Sequence, residues 1–299
     1  MSWVSFALFS AILNGMVSIF DSYILSRRLP GLNSYLLLLG IFHGTIALLI
    51  WVFQPFPVDM KALPLLAAFG SGVLSGASTI ITLNIVRSGE ISRIIPVIST
   101  SPIFVALFAI PLLGEVLNYR DWSGILLTVA GAVLISTQKG TGNNKVVIQK
   151  SFFALLLSSL LFALSTTITK YALESLSFWN LYSANAFCMA ILFIIFSARP
   201  LTFQQVMKLP QRNMVFLFIT LAESAIVVAV VLSNLAIQRG PVSLVSTVLS
   251  IRPAFVFVFA LILSRFFPGV LNERLTRGIA ILKFVAIIMI VGGVGLLTL

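Results

Sequence analysis

The sequence predicts an all-α integral membrane protein whose ten transmembrane helices form two inverted five-helix repeats. Three observations lead there. Apolar stretches, most of them 20–26 residues long, follow one another from Trp3 to Thr298 with short linkers, and about 20 apolar residues cross a hydrocarbon core roughly 30 Å thick. The composition agrees, at 59% hydrophobic and 9% charged with a mean hydropathy of +1.12, whereas a soluble protein is roughly 25% charged. The two halves of the chain also repeat each other in sequence.

The predicted spans are 3–25, 32–53, 62–86, 90–113, 121–137, 151–173, 177–197, 213–237, 242–266 and 276–298. Breakers separate them: Arg27 to Gly31, Gln54 to Pro57, Glu115 to Asp121, Arg199-Pro200 and Pro268-Gly269. The first stretch has no basic segment before it and no polar domain after it, so it is expected to be a retained span and not a cleaved signal. The longest polar linker is 138–150, rich in Gly, Asn and Lys, a flexible composition. It divides the chain into a first five-helix unit, 1–137, and a second, 151–299.

At an offset of 151 residues, 89–113 aligns with 240–264 with ten of 25 positions identical, including Gly89/Gly240, Ser92/Ser243, Ser99/Ser250, Pro102/Pro253, Phe104/Phe255 and Phe108/Phe259. Apolar bias alone produces some matches, but matched Gly, Ser and Pro at one offset are harder to obtain by chance. Two copies with an odd number of spans must insert in opposite senses. That is the plan of secondary carriers, in which the solute site lies near midplane between repeats. Pro96, Pro102 and Pro253 fall inside spans, where proline removes a helix hydrogen bond and kinks the chain. They are the candidate hinges, the alternative being simple packing kinks.

Ionisable groups within spans are costly and point to function. Glu223 lies near the middle of the eighth span, Arg252 near the middle of the ninth, Lys283 within the tenth and Asp21 near the end of the first. Glu223 and Arg252 fit a structural ion pair between sequential helices. They also fit a coupling carboxylate, with Asp21 beside it, and a cation that holds an anionic solute group. Asn14 and Ser18 share a face of the first helix with Ser10. Ser75 and Ser78 share one face of the third span with Ser71 and Thr82; Thr166 joins Ser159 and Lys170 in the sixth. With Ser250, Arg252 and Lys283 these outline a candidate solute-binding cavity, although small polar residues also pack helices, as the Gly72/Gly76 pair suggests. The lone His43 is expected to be a hydrogen-bonded core residue, and Tyr182 and Asn185 are weaker cavity candidates.

Several residues carry a family resemblance. Ile95 to Leu107, with Pro96 and Pro102, is followed by Pro111-Leu112-Leu113-Gly114-Glu115 and then by the glycine-bearing run Gly124 to Ile135. The second half echoes this through Gly240-Pro241-Val242-Ser243, Pro253, Glu273 and Gly292-Gly293. This pattern resembles the drug/metabolite transporter superfamily, in particular its EamA-type ten-helix branch. The chain departs from it between Ser264 and Leu271, where about three residues are inserted and Gly-Glu becomes Asn272-Glu273. Arg252 and Lys283 are also unusual for such spans. The resemblance implies an ATP-independent carrier of a small metabolite, often an exporter of amino acids or related compounds, with both termini cytoplasmic.

Other chemistries lack their motifs. There is no Walker A pattern and no Gly-x-Ser-x-Gly elbow. The single histidine precludes His-Glu-x-x-His, and three aspartates are too few for an Asp-rich diphosphate site. One cysteine, Cys188, permits neither an internal disulfide nor a thiolate metal site. No cofactor or metal is expected. The net charge of +11 comes from loop Lys and Arg, which set orientation and meet lipid head groups, not nucleic acid. Thirteen of them follow odd-numbered spans and four follow even-numbered ones. Cytoplasmic loops carry the excess, so the charges place both termini outside, against the resemblance. The expected partners are a small-molecule solute, protons and the lipid bilayer of a prokaryotic cell membrane, for a monomer or homodimer. A lipid or lipid-linked sugar flippase of the same fold and a non-transporting membrane subunit are the alternatives.

Overall fold

The computed structural model describes residues 2–57, 61–87, 97–136, 145–266 and 277–298. Among them are twelve helices and no strand. The first half supplies α1 (Trp3–Arg27), α2 (Leu32–Phe53), α3 (Ala62–Arg87), α4 (Ser101–Leu113) and α5 (Tyr119–Ser136). The second supplies α6 (Lys145–Leu173), α7 (Phe178–Ser197), α8 (Pro200–Met207), α9 (Arg212–Arg239), α10 (Val242–Leu249), α11 (Arg252–Phe266) and α12 (Arg277–Thr298).

Seven segments among the described residues are long and apolar enough to cross a membrane: within α1, α2, α3, α6, α7 and α9, and across the α10–α11 tandem. The apolar runs 101–113 and 281–297 are shorter. Among the described residues, seven of the ten spans expected from hydropathy meet that standard, the fourth, fifth and tenth being the others. The fourth and ninth spans are not single helices. The turn at Ser99-Thr100 precedes α4, and the break at Ser250-Ile251 separates α10 from α11. At the 151-residue offset these are equivalent positions. Pro102 and Pro253 are therefore not mid-helix kinks. Each is the second residue of a restarted helix, where its missing N–H would have had no partner anyway. Pro96 lies outside the described residues, as do Asn272-Glu273 and 138–144 of the linker. The rest of the linker, Lys145 to Lys150, is the first part of α6.

Hydropathy also misses α8. Pro200 occupies its first position and fixes the backbone torsion there. Thr202 and Val206, one turn apart, are buried, while Leu201, Phe203 and Met207 are exposed.

The dominant helix pairs each join the two halves: α5 with α12, α2 with α7, α3 with α6, α1 with α9 and α3 with α7. Small residues make these approaches close, the expected device where lipid supplies no hydrophobic drive. A Cβ added at Gly72 would lie 2.8 Å from the Cα of Asn185, and one at Gly131 would lie 2.8 Å from the carbonyl of Ala286. Outward residues such as Val52, Phe53, Leu221 and Phe284 are large, apolar and more than half exposed. Inside, Ser, Thr and Asn side chains are buried among alanines. Apolar outside and polar inside suits a protein solvated by hydrocarbon.

Candidate functional site

The helix break in the ninth span builds the centre of the site. Because α11 restarts after Ile251, Arg252 becomes its first residue. The Arg252 side chain is exposed, whereas Ile251 and Ala254 are buried. Its Nε donates to Ser18 Oγ of α1 at 2.7 Å. Ser18 Oγ donates to the Asn14 carbonyl at 2.6 Å, and Asn14 Nδ2 donates to the Ser10 carbonyl at 2.9 Å. One turn further along α1, Asp21 Oδ1 accepts from the Tyr35 hydroxyl of α2 at 2.8 Å. Asp21 is within electrostatic reach of both Arg252 and Glu223. The structure thus brings together Asn14, Ser18, Asp21, Glu223 and Arg252 from three helices.

Glu223 is 2% exposed on α9. The structural ion pair with Arg252 considered from sequence is not what forms. Its ion-pair contact among the described residues is His43 of α2, with Nε2 to Oε2 at 3.5 Å. From sequence His43 reads as a hydrogen-bonded core residue, yet its Nδ1 has no partner among the described residues. Sequence periodicity could not reveal this pairing, because His43 and Glu223 lie 180 positions apart.

The remaining predicted site residues fall elsewhere. Ser75 shares a hydrogen bond with Ser165 at 2.7 Å, and Ser78 donates to the Ser158 carbonyl at 2.9 Å. Thr82 and Ser158 extend this polar seam between α3 and α6 at 2.8 Å. These hydroxyls are engaged in helix packing. Thr166 bonds back to the carbonyl of Phe162, and Ser250 to that of Thr247. Lys283 is buried, with Nζ 3.9 Å from the centroid of the Phe257 ring, a cation–π contact between α12 and α11.

A second polar assembly lies at the turn between α9 and α10. Gly114 ends α4 with a φ of 66°, a left-handed conformation that glycine adopts without steric penalty. The chain then carries Glu115 to the start of α10. There its carboxylate accepts from the Val242 N–H at 2.5 Å, the Ser243 N–H at 3.2 Å and the Ser243 hydroxyl. An anion at a helix N-terminus satisfies free amides and meets the positive end of the dipole. On the other side of the turn, Lys170 Nζ donates to the carbonyls of Ile237 at 2.6 Å and Gly240 at 3.1 Å, closing the C-terminus of α9. The sequence marked Gly114-Glu115 as a motif and Lys170 as part of a stripe. It did not reveal their common task.

A bundle of apolar-faced helices around a polar, charged centre defines a polytopic membrane protein. Residues 1–137 match the EamA-like transporter family. That match covers the first half of the chain and makes this region similar to membrane transporters of the EamA-like family. It is also 35% identical over 66 residues to an uncharacterized transporter in the cobO 3′ region of Sinorhizobium sp. That stretch is 22% of this chain and 47%, about half, of the relative's length. A solved crystal structure shares the fold with a TM-score of 0.71 and 16% identity, over 99% of this chain and 96% of its own.

Proposed function

We propose that this protein is a secondary active transporter, working by alternating access in a bacterial plasma membrane, for a small polar or zwitterionic solute with an anionic group, such as an amino acid. The observation that carries the reading is Arg252: a guanidinium at the first turn of a half-helix, exposed in the bundle interior and held by Ser18. A guanidinium and the free amides of a helix start both attract a carboxylate. Asn14 and Asp21 line the same site, and Asp21 would receive the ammonium of a zwitterion. Lys283 adds positive charge from α12, its Nζ over the Phe257 ring of α11.

Glu223 is the coupling carboxylate in this reading, taking up a proton in one access state and releasing it in the other. Residues 1–137 rock against 151–299, with Pro102 and Pro253 at the hinges. Three features support inverted repeats: the shared 151-residue offset, the equivalent helix breaks and the cross-half helix pairing. Net export follows the family resemblance.

The test is solute flux in proteoliposomes holding the purified chain, with an imposed proton gradient and no nucleotide. Gradient-driven uptake of amino acids is expected, lost in Arg252→Ala. A strict need for ATP, or movement only of fluorescent lipid, would exclude the proposal.

A further inference from the structure

Three buried polar atoms have no hydrogen-bond partner among the described residues and come from neighbouring helices: His43 Nδ1 of α2, Tyr182 Oη of α7 and Glu223 Oε2 of α9. An unsatisfied buried polar group is destabilising, so three in one region need an explanation. Apolar groups surround them. The His43 ring packs against Phe42 and Phe193 with centroids 6.0 Å and 5.9 Å away, and Tyr182 stacks on Phe178. Tyr182 and Tyr35 both lie within electrostatic reach of Glu223.

The charge count explains the one on Glu223. The groups facing Glu223 are Asp21 from α1, Tyr35 and His43 from α2, and Tyr182 from α7, with Arg252 of α11 beyond Asp21. Two carboxylates against one guanidinium leave one negative charge when His43 is neutral. An unbalanced charge in a low-dielectric bundle is strongly disfavoured. One added proton brings the cluster to neutrality. Two atoms are placed to take it, Glu223 Oε2 and His43 Nε2, which face each other at 3.5 Å. That is about half an ångström beyond a strong N–O hydrogen bond, a gap that side-chain torsions span.

We infer that His43 and Glu223 together form a single-proton site, with Tyr182 Oη as its third polar wall. This deepens the coupling role proposed for Glu223 and rests on it. One proton enters from water and resides on Oε2 or Nε2. When it sits on Oε2, the carboxyl donates to Nε2, and the imidazole carries its own hydrogen on Nδ1. When it sits on Nε2, an imidazolium faces a carboxylate. The same proton then leaves to water on the opposite side. No bond other than O–H and N–H is made or broken. Since the pair holds one proton, not two, the transported charge per cycle is one proton.

The test needs no solute, so its outcome is separate from that of the Arg252 site. The purified full chain in lipid is titrated by difference infrared spectroscopy, following the protonated-carboxyl stretch and the imidazole bands. In wild type both signals are expected to change at one common midpoint. His43→Gln should move the carboxyl midpoint by about one pH unit, a tenfold change in proton affinity. Glu223→Gln should move the imidazole midpoint comparably, which keeps the proposal testable if one variant fails to fold. A shift in either folded variant supports the shared site. Midpoints that stay put in every folded variant would show that His43 is a packing residue and overturn it.

Discussion

At the scale of single residues, burial and hydrogen bonding separate side chains open to the bundle interior from side chains that hold helices together. Arg252 is exposed at the centre of the bundle and has one described side-chain partner, Ser18. A hydrogen bond to a charged group contributes about 1.5–3 kcal/mol. Arg252→Ala should therefore weaken solute affinity by roughly 10–100-fold, measured by titration of the detergent-purified protein, while the helical circular dichroism spectrum is unchanged. Ser78 tests the opposite case. Its hydroxyl is committed to Ser158. Ser78→Ala should lower thermal stability by the loss of about 1 kcal/mol and leave the transport KM unchanged. A KM rise at constant stability would return Ser78 to the solute site. From the sequence these two residues looked alike, since both were polar groups inside spans. The difference lies in which helix each one faces, and helical period alone does not specify that.

At the scale of elements, the informative features are the broken helices and the assembly that seats one of them. Three hydrogen bonds from α10 converge on Glu115, which comes from the opposite half of the chain. Lys170 fastens the adjoining end of α9. Loss of a cap costs about 1–2 kcal/mol, so Glu115→Ala should destabilise the described arrangement of α10 by that amount. Hydrogen exchange at Val242 and Ser243 should rise about 5–30-fold. Exchange equal to wild type would mean that the carboxylate contributes nothing to this contact. Packing between α5 and α12 leads to a second expectation. A side chain at Gly131 would collide with the Ala286 carbonyl. Gly131→Val should cost about 1–3 kcal/mol, seen as a lower midpoint in thermal unfolding. Hydropathy located these helices well. It overran the breaks at Ser99-Thr100 and Ser250-Ile251, because an apolar average does not register two residues leaving the helix.

At the scale of the whole molecule, two cues to orientation conflict. The charge rule places the loops after odd-numbered spans in the cytoplasm, because thirteen of the loop Lys and Arg residues lie there and four lie in the even-numbered ones. The family resemblance implies the reverse. The loops are short, the regime in which loop charge governs insertion, and the excess recurs at five separate loops. Termini on the outside are therefore expected. Single cysteines placed as Pro57→Cys and Gly142→Cys in a Cys188→Ser background distinguish the two. On intact cells an impermeant thiol reagent should label position 57 and not 142. Labelling at 142 alone would reverse the assignment.

Much of this protein is legible without coordinates. Long apolar runs separated by Pro, Gly and Arg specify membrane helices, because hydrocarbon admits backbone only when its own hydrogen bonds are satisfied. The half-to-half identity at one offset identified Pro102 and Pro253 as equivalent, and their cost inside spans flagged Glu223, Arg252 and Asp21. Tertiary structure decided the rest. It set Arg252 on Ser18 and not on Glu223, placed His43 against Glu223, engaged Ser75 and Ser78 in a packing seam and brought Glu115 to α10. Each of these joins helices far apart in the chain. Spans and their polar residues follow from local chemistry, which a sequence displays. Partners across a bundle follow from how helices rotate and pair, which depends on the packing of the whole molecule.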